Sequence, residues 1–82
     1  MRYSAEPKLS QDKVVDFAAK YFTRESAGLK VSSKDSSSLC MEALEGFVTV
    51  STCKSDVKGR KTHLEIETRE YDYQVTEFLK SF

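Results

Sequence analysis

The sequence predicts an α+β domain: a two-layer sandwich in which two helices cover one face of an antiparallel sheet of three or four strands. Three observations carry this prediction. Val14, Phe17, Ala18, Tyr21 and Phe22 recur at helical spacing and make one apolar stripe. Leu64 and Ile66 alternate with His63, Glu65, Glu67 and Arg69, which is the period of a half-buried strand. Tyr71, Val75, Phe78, Leu79 and Phe82 make a second helical stripe at the far end of the chain. The expected order is helix, strands, helix, and short connections favour a meander. Each helix has one apolar stripe and each strand one apolar face. These bury one another when both helices lie on the same side of the sheet.

Residues 1–9 read as a lead-in, with Pro7 discouraging helix at Glu6. Ser10 is placed to cap the first helix, and Asp12 sits in its first turn, where the helix dipole favours a carboxylate. Gly28 is placed to end that helix in a left-handed conformation. Residues 29–32 read as a short strand, and the polar run 32–38 as a loop.

Residues 39–44 have helical composition, but they are few and lie next to the clear strand at 47–53. A hairpin about Glu45-Gly46 is therefore expected. That register sets Ala43 opposite Val48, Met41 opposite Val50, Leu39 opposite Thr52 and Cys40 opposite Ser51. Residues 54–61 form a polar loop turning at Gly59. The strand at 62–69 follows, and the last helix starts near Tyr71 or Asp72.

Eighty-two residues allow one domain, here 1–82, and one compact core. A chain of this size hides only about 60–65% of its unfolded surface, which leaves little room for a deep cleft. Four tyrosines and five phenylalanines can fill much of the core. Thirteen basic and thirteen acidic side chains cancel, so a partner read by charge would be read by a local patch. Met1 to Ser10 carries no apolar run, and no stretch approaches the roughly 20 apolar residues of a membrane helix. The expected compartment is the cytoplasm, with Cys40 and Cys53 as free thiols.

By strand parity the open face of the sheet carries Lys30, Ser32, Cys40, Glu42, Leu44, Phe47, Thr49, Ser51, Cys53, His63, Glu65, Glu67 and Arg69. Most are polar, as a solvated face requires. Leu44 and Phe47 are the exceptions, and form a small apolar spot near the hairpin tip. Tyr73, flanked by Glu70 and Asp72 and off the apolar stripe, is a third interface candidate.

Lys54, Lys58, Arg60 and Lys61 make a cationic loop able to touch phosphates. Glu65 and Glu67 point the same way and could hold a hard cation, but His63 and Arg69 flank them. His63 with either cysteine falls short of both a zinc set and a thiol nucleophile with its base. The three glycines are scattered singly, so there is no phosphate-binding loop and no dinucleotide fingerprint. No catalytic residue, metal site or cofactor is expected.

The helix–strand–strand–strand–helix order is similar to that of double-stranded-RNA-binding domains. The resemblance covers element order only. Those domains open their second helix with a lysine cluster. The corresponding stretch here, Arg69 to Gln74, supplies one base and two acids, so no residue role is carried over.

The function expected is therefore non-catalytic: an interaction module or small homodimer that binds a protein through the open sheet face or a sheet edge. The alternative is weak binding of nucleic acid or another anion by the loop at 54–61.

Overall fold

The computed structural model describes residues 1–25, 28–54 and 61–81. Its elements are β1 (Arg2–Ala5), α1 (Gln11–Glu25), β2 (Lys30–Lys34), β3 (Ser38–Glu42), β4 (Phe47–Lys54), β5 (Thr62–Arg69) and α2 (Asp72–Leu79). One sheet holds all five strands, in the order β1-β5-β4-β3-β2, and every neighbouring pair is antiparallel. The fold is α+β, but with five strands rather than three or four, and the chain opens on a strand rather than a helix. The topology shared with double-stranded-RNA-binding domains therefore does not hold.

The added strand is the supposed lead-in. Tyr3 pairs with Ile66 and Ala5 with Leu64, so both join the apolar face of β5. Tyr3 donates a 2.8 Å hydrogen bond to Asp72 Oδ1, which ties this edge strand to the first turn of α2.

Helix α1 begins where its sequence says it should. The Val14 N–H donates to the Ser10 carbonyl at 3.0 Å. The Ser10 hydroxyl donates instead to Asp12 Oδ1 at 2.6 Å, and this bond holds the Asp12 carboxyl below its ordinary range. Val14, Val15, Ala18 and Phe22 are buried against the sheet. Gly28 has φ +98°, the left-handed conformation expected at that position.

The core is the layer between sheet and helices. Leu39, Met41, Val48, Val50, Leu64 and Ile66 rise from the sheet to meet α1 and the α2 residues Val75 and Phe78. The Phe78 ring lies 5.1–5.4 Å from the rings of Phe22, Tyr21 and Phe17, so aromatic packing joins the two helices. Helix α2 ends at Leu79, and Phe82 lies outside the described residues. No described helix is long and apolar enough to cross a membrane.

Two local features set the faces of the sheet. A bulge between Val31 and Ser33 puts Val31 opposite Met41 and Lys34 opposite Leu39. Lys34 is thereby turned to the helical side, where Nζ meets Asp16 Oδ1 at 2.7 Å. The hairpin that follows is held by Asp35 Oδ1, which accepts the N–H groups of Ser37 and Ser38 at 2.8 and 2.7 Å. Those bonds lower the Asp35 carboxyl pKa.

The β3–β4 connection corrects the expected register. Met41 pairs with Val48, Leu39 with Val50, Glu42 with Phe47 and Cys40 with Thr49. The turn spans Ala43 to Gly46, closed by the Ala43 N–H on the Gly46 carbonyl at 2.9 Å. Ala43 is thus not in the ladder, and the pairing has slid by two residues. A slip of two keeps every side chain on its face, so the apolar pattern alone does not separate the two registers.

Candidate functional site

The face of the sheet turned away from the helices is open. Ladder pairing arranges it in rows that cross the strands. Arg69 of β5, Phe47 of β4, Glu42 of β3 and Lys30 of β2 form the row nearest the β3–β4 turn. The next row runs Arg2, Glu67, Thr49, Cys40, Ser33, and the third Ser4, Glu65, Ser51, Ser38. The expected face is recovered except at two places. Ser33 replaces Ser32, because the bulge shifts the alternation, and the Ser32 hydroxyl bonds the Cys40 carbonyl at 3.1 Å. Leu44 has left the ladder for the turn.

Leu44 is nevertheless brought beside Phe47. Both line an open concavity of about 320 Å³ whose walls include Glu42, Thr49 and Arg69. Phe47 is half-buried, whereas Leu44 is fully exposed at 105%. A second concavity, on the β2 side of Leu44, is lined by Val31 and Ala43. Val31 is 43% exposed, an apolar contribution that strand parity alone assigned to the core.

The turn that carries Leu44 is held at three points. Besides the Ala43–Gly46 bond, the Tyr71 hydroxyl donates to Glu45 Oε1 at 2.7 Å. Gly46 also lies against the backbone of Arg69, so closely that a Cβ there would collide with the Arg69 carbonyl oxygen. The hydrogen bond to Glu45 pushes the Tyr71 phenol from its ordinary 10.0 up to about 12, with burial as the second cause. The same bond holds the Glu45 carboxyl below its ordinary range. Glu70, between Arg69 and Tyr71, has φ +77°, so the β5–α2 junction adopts a left-handed residue to make this contact.

Tyr73, the third interface candidate, is elsewhere. It is 71% exposed but lies on α2, in the helical layer, beside a groove shared with Tyr21, Gln74 and Glu77. It belongs to a different surface from Leu44 and Phe47.

The cationic loop is described only at its ends. Lys58 and Arg60 lie outside the described residues. Lys54 and Lys61 are exposed. Lys54 pairs with the buried Thr62 and borders a concavity with Ser10, Gln11, Asp12 and Ser36.

Register places Cys53 directly opposite His63, a juxtaposition that separation in sequence hid. The ring nitrogens turn to carboxylates instead: Nε2 lies 3.2 Å from Glu65 Oε1 and Nδ1 3.7 Å from Glu6 Oε2. Glu67 meets Arg2 Nη2 at 3.5 Å. Among the described residues, no three His, Cys, Asp or Glu side chains gather as a metal set. Cys40 and Cys53 are both free thiols, four positions apart along the β4 ladder.

The two outer edges differ. Edge strand β1 is four residues long. Strand β2 is exposed throughout and carries lysines at both ends and a bulge between, features that blunt pairing with another strand. Of the interface candidates named from sequence, Leu44 and Phe47 lie together at one end of the open face. Comparison of the chain with family models, curated proteins and solved structures finds no match.

Proposed function

We propose that this domain is a non-catalytic protein-binding module that engages its partner with the Phe47 end of the open sheet face and the adjoining Leu44 turn. The observation that carries the reading is the placement of Leu44. A leucine wholly in water forgoes roughly 1.5–3 kcal/mol that burial would return, and here it stands on a turn braced by Tyr71 and Gly46. A turn whose backbone is already ordered loses less entropy when a partner covers it, so more of that gain reaches the binding free energy. Phe47, half-buried in the concavity beside it, supplies the aromatic contact that interfaces favour.

The test is affinity capture with the wild type, Leu44→Asp and Phe47→Asp as baits, after nuclease treatment, with circular dichroism to establish that each variant is folded. The expected result is protein retained by the wild type and lost by both variants. Retention that is unchanged in both variants overturns the proposal. Material that disappears with nuclease, and depends on Lys54, Lys58, Arg60 and Lys61, transfers the function to the cationic loop.

A further inference from the structure

In the row beside the β3–β4 turn, the three central residues Arg69, Phe47 and Glu42 have a charge pattern that matches itself, while Lys30, the fourth member, has no counterpart on the β1 side. Arg69 and Glu42 stand on either side of Phe47, each one strand away. Neighbouring strands are about 4.8 Å apart, so the two Cα positions are roughly 10 Å from one another, with Phe47 between them. Neither Arg69 nor Glu42 makes an ion pair or a side-chain hydrogen bond among the described residues. A cation and an anion placed symmetrically about an aromatic centre are what a two-fold contact requires, because the operator sets each residue against its counterpart's mirror position.

We propose that the occupant of the open face is a second copy of this chain, packed face to face about a two-fold axis that runs along β4. This rests on the binding face assigned above and names its partner. Rotation about that axis lays β5 of one copy over β3 of the other. Phe47 then meets Phe47, and Arg69 of each copy meets Glu42 of its mate, giving two equivalent ion pairs around an aromatic centre.

The remaining rows set no like charges against each other. Glu67 falls over Cys40, Glu65 over Ser38 and Arg2 over Ser33, while Thr49 and Ser51 lie on the axis. The competing two-fold, across the strands at the level of Phe47, stacks Arg69 on Arg69 and Glu42 on Glu42, and like charges exclude it. Sheets packed face to face stand about 10 Å apart, a gap that an arginine and a glutamate span together.

Five strands of four to eight residues present on the order of 500 Å² per copy, near the ~1,000 Å² total at which specific interfaces begin. The dimer is accordingly weak and reversible.

Sedimentation equilibrium under reducing conditions, from micromolar to millimolar concentration, tests this on the full chain. The wild type is expected to show a monomer–dimer equilibrium. Arg69→Glu alone and Glu42→Arg alone should each weaken it by roughly tenfold or more, since each sets two like-charged contacts against each other. Mixing the two single variants should restore wild-type affinity as a heterodimer, because each of the two contacts then joins a carboxylate to a guanidinium, as in the parent.

Thr49→Arg, on the axis and outside the ion pairs, should give a folded monomer by an independent route. A wild type that stays monomeric to millimolar concentration overturns the proposal, as do single variants that dimerise like the parent or a mixture that does not recover. A monomer whose Phe47 face still captures a different protein removes the second-copy occupant and leaves the binding face in place. Neither dimer nor capture removes both.

Discussion

Two glycines that look alike in sequence should differ sharply when each is replaced by alanine. Gly28 and Gly46 each stand at a turn. Gly28 has φ +98° and nothing within 4 Å of an added Cβ, so Gly28→Ala meets backbone strain alone, about 1 kcal/mol. Gly46 has no left-handed φ to lose. Its added Cβ would instead collide with the Arg69 carbonyl oxygen and stand 2.9 Å from the Arg69 carbonyl carbon and 3.0 Å from Glu70 Cβ. These neighbours are mostly backbone, in a junction already committed to φ +77° at Glu70 and fixed by the Tyr71–Glu45 bond.

Relief therefore means moving the end of β5 or the whole turn, at about 3 kcal/mol or more, the upper part of the range for overpacking. A domain of this length has a total stability of about 4–12 kcal/mol, so Gly46→Ala removes a large fraction of it. At roughly 4–8 °C per kcal/mol, Tm should fall by about 4–8 °C for Gly28→Ala and by about 12–24 °C for Gly46→Ala. Thermal and urea unfolding followed by circular dichroism measure both. A Gly46→Ala protein as stable as Gly28→Ala would refute the claim that the turn is wedged against β5.

The Tyr71–Glu45 bond makes stability depend on pH at both extremes. Tyr71 is raised from 10.0 to about 12, so its contribution is whole below pH 10 and is lost as pH climbs from 10 towards 12. The lowered pKa of Glu45 means that its contribution is present above the ordinary carboxylate range and is lost as pH falls through the depressed value. Tyr71→Phe should cost about 1 kcal/mol near neutrality and flatten the alkaline limb, and an unchanged limb in urea titrations at several pH values would count against the bond. Deleting residues 1–5 should markedly lower the urea midpoint, because it strips one of the two strands paired with β5 and the Tyr3–Asp72 tie. A truncated chain that unfolds at the wild-type midpoint would return those residues to the status of a lead-in.

The stripes of α1 and α2, and the alternation in β4 and β5, were legible because each is a periodicity within one segment. They place the helices over one face and leave a polar face open, before any contact between segments is known. Leu44, Phe47 and Tyr73 could be named as apolar or aromatic positions off those stripes. Their grouping could not, since Tyr73 is turned away by the helical layer while Leu44 is returned to Phe47 by the turn. Val31 was hidden for a related reason: its parity is that of the core, but it stands on an edge strand that the helices do not fully cover.

Local pattern thus determined the class of fold, the covered face and the polar character of the other. Tertiary structure decided the rest. Residues 2–5 are too few to announce a strand, and only β5, about sixty residues away, supplies their hydrogen-bond partners. The β3–β4 register has two solutions of equal parity, and the one adopted sets Gly46 against the β5–α2 junction. That choice set Glu42, rather than another residue, beside Phe47 and Arg69. Period-two alternation fixes which face a side chain takes, but a row across strands is set by contacts between segments that lie far apart in the chain.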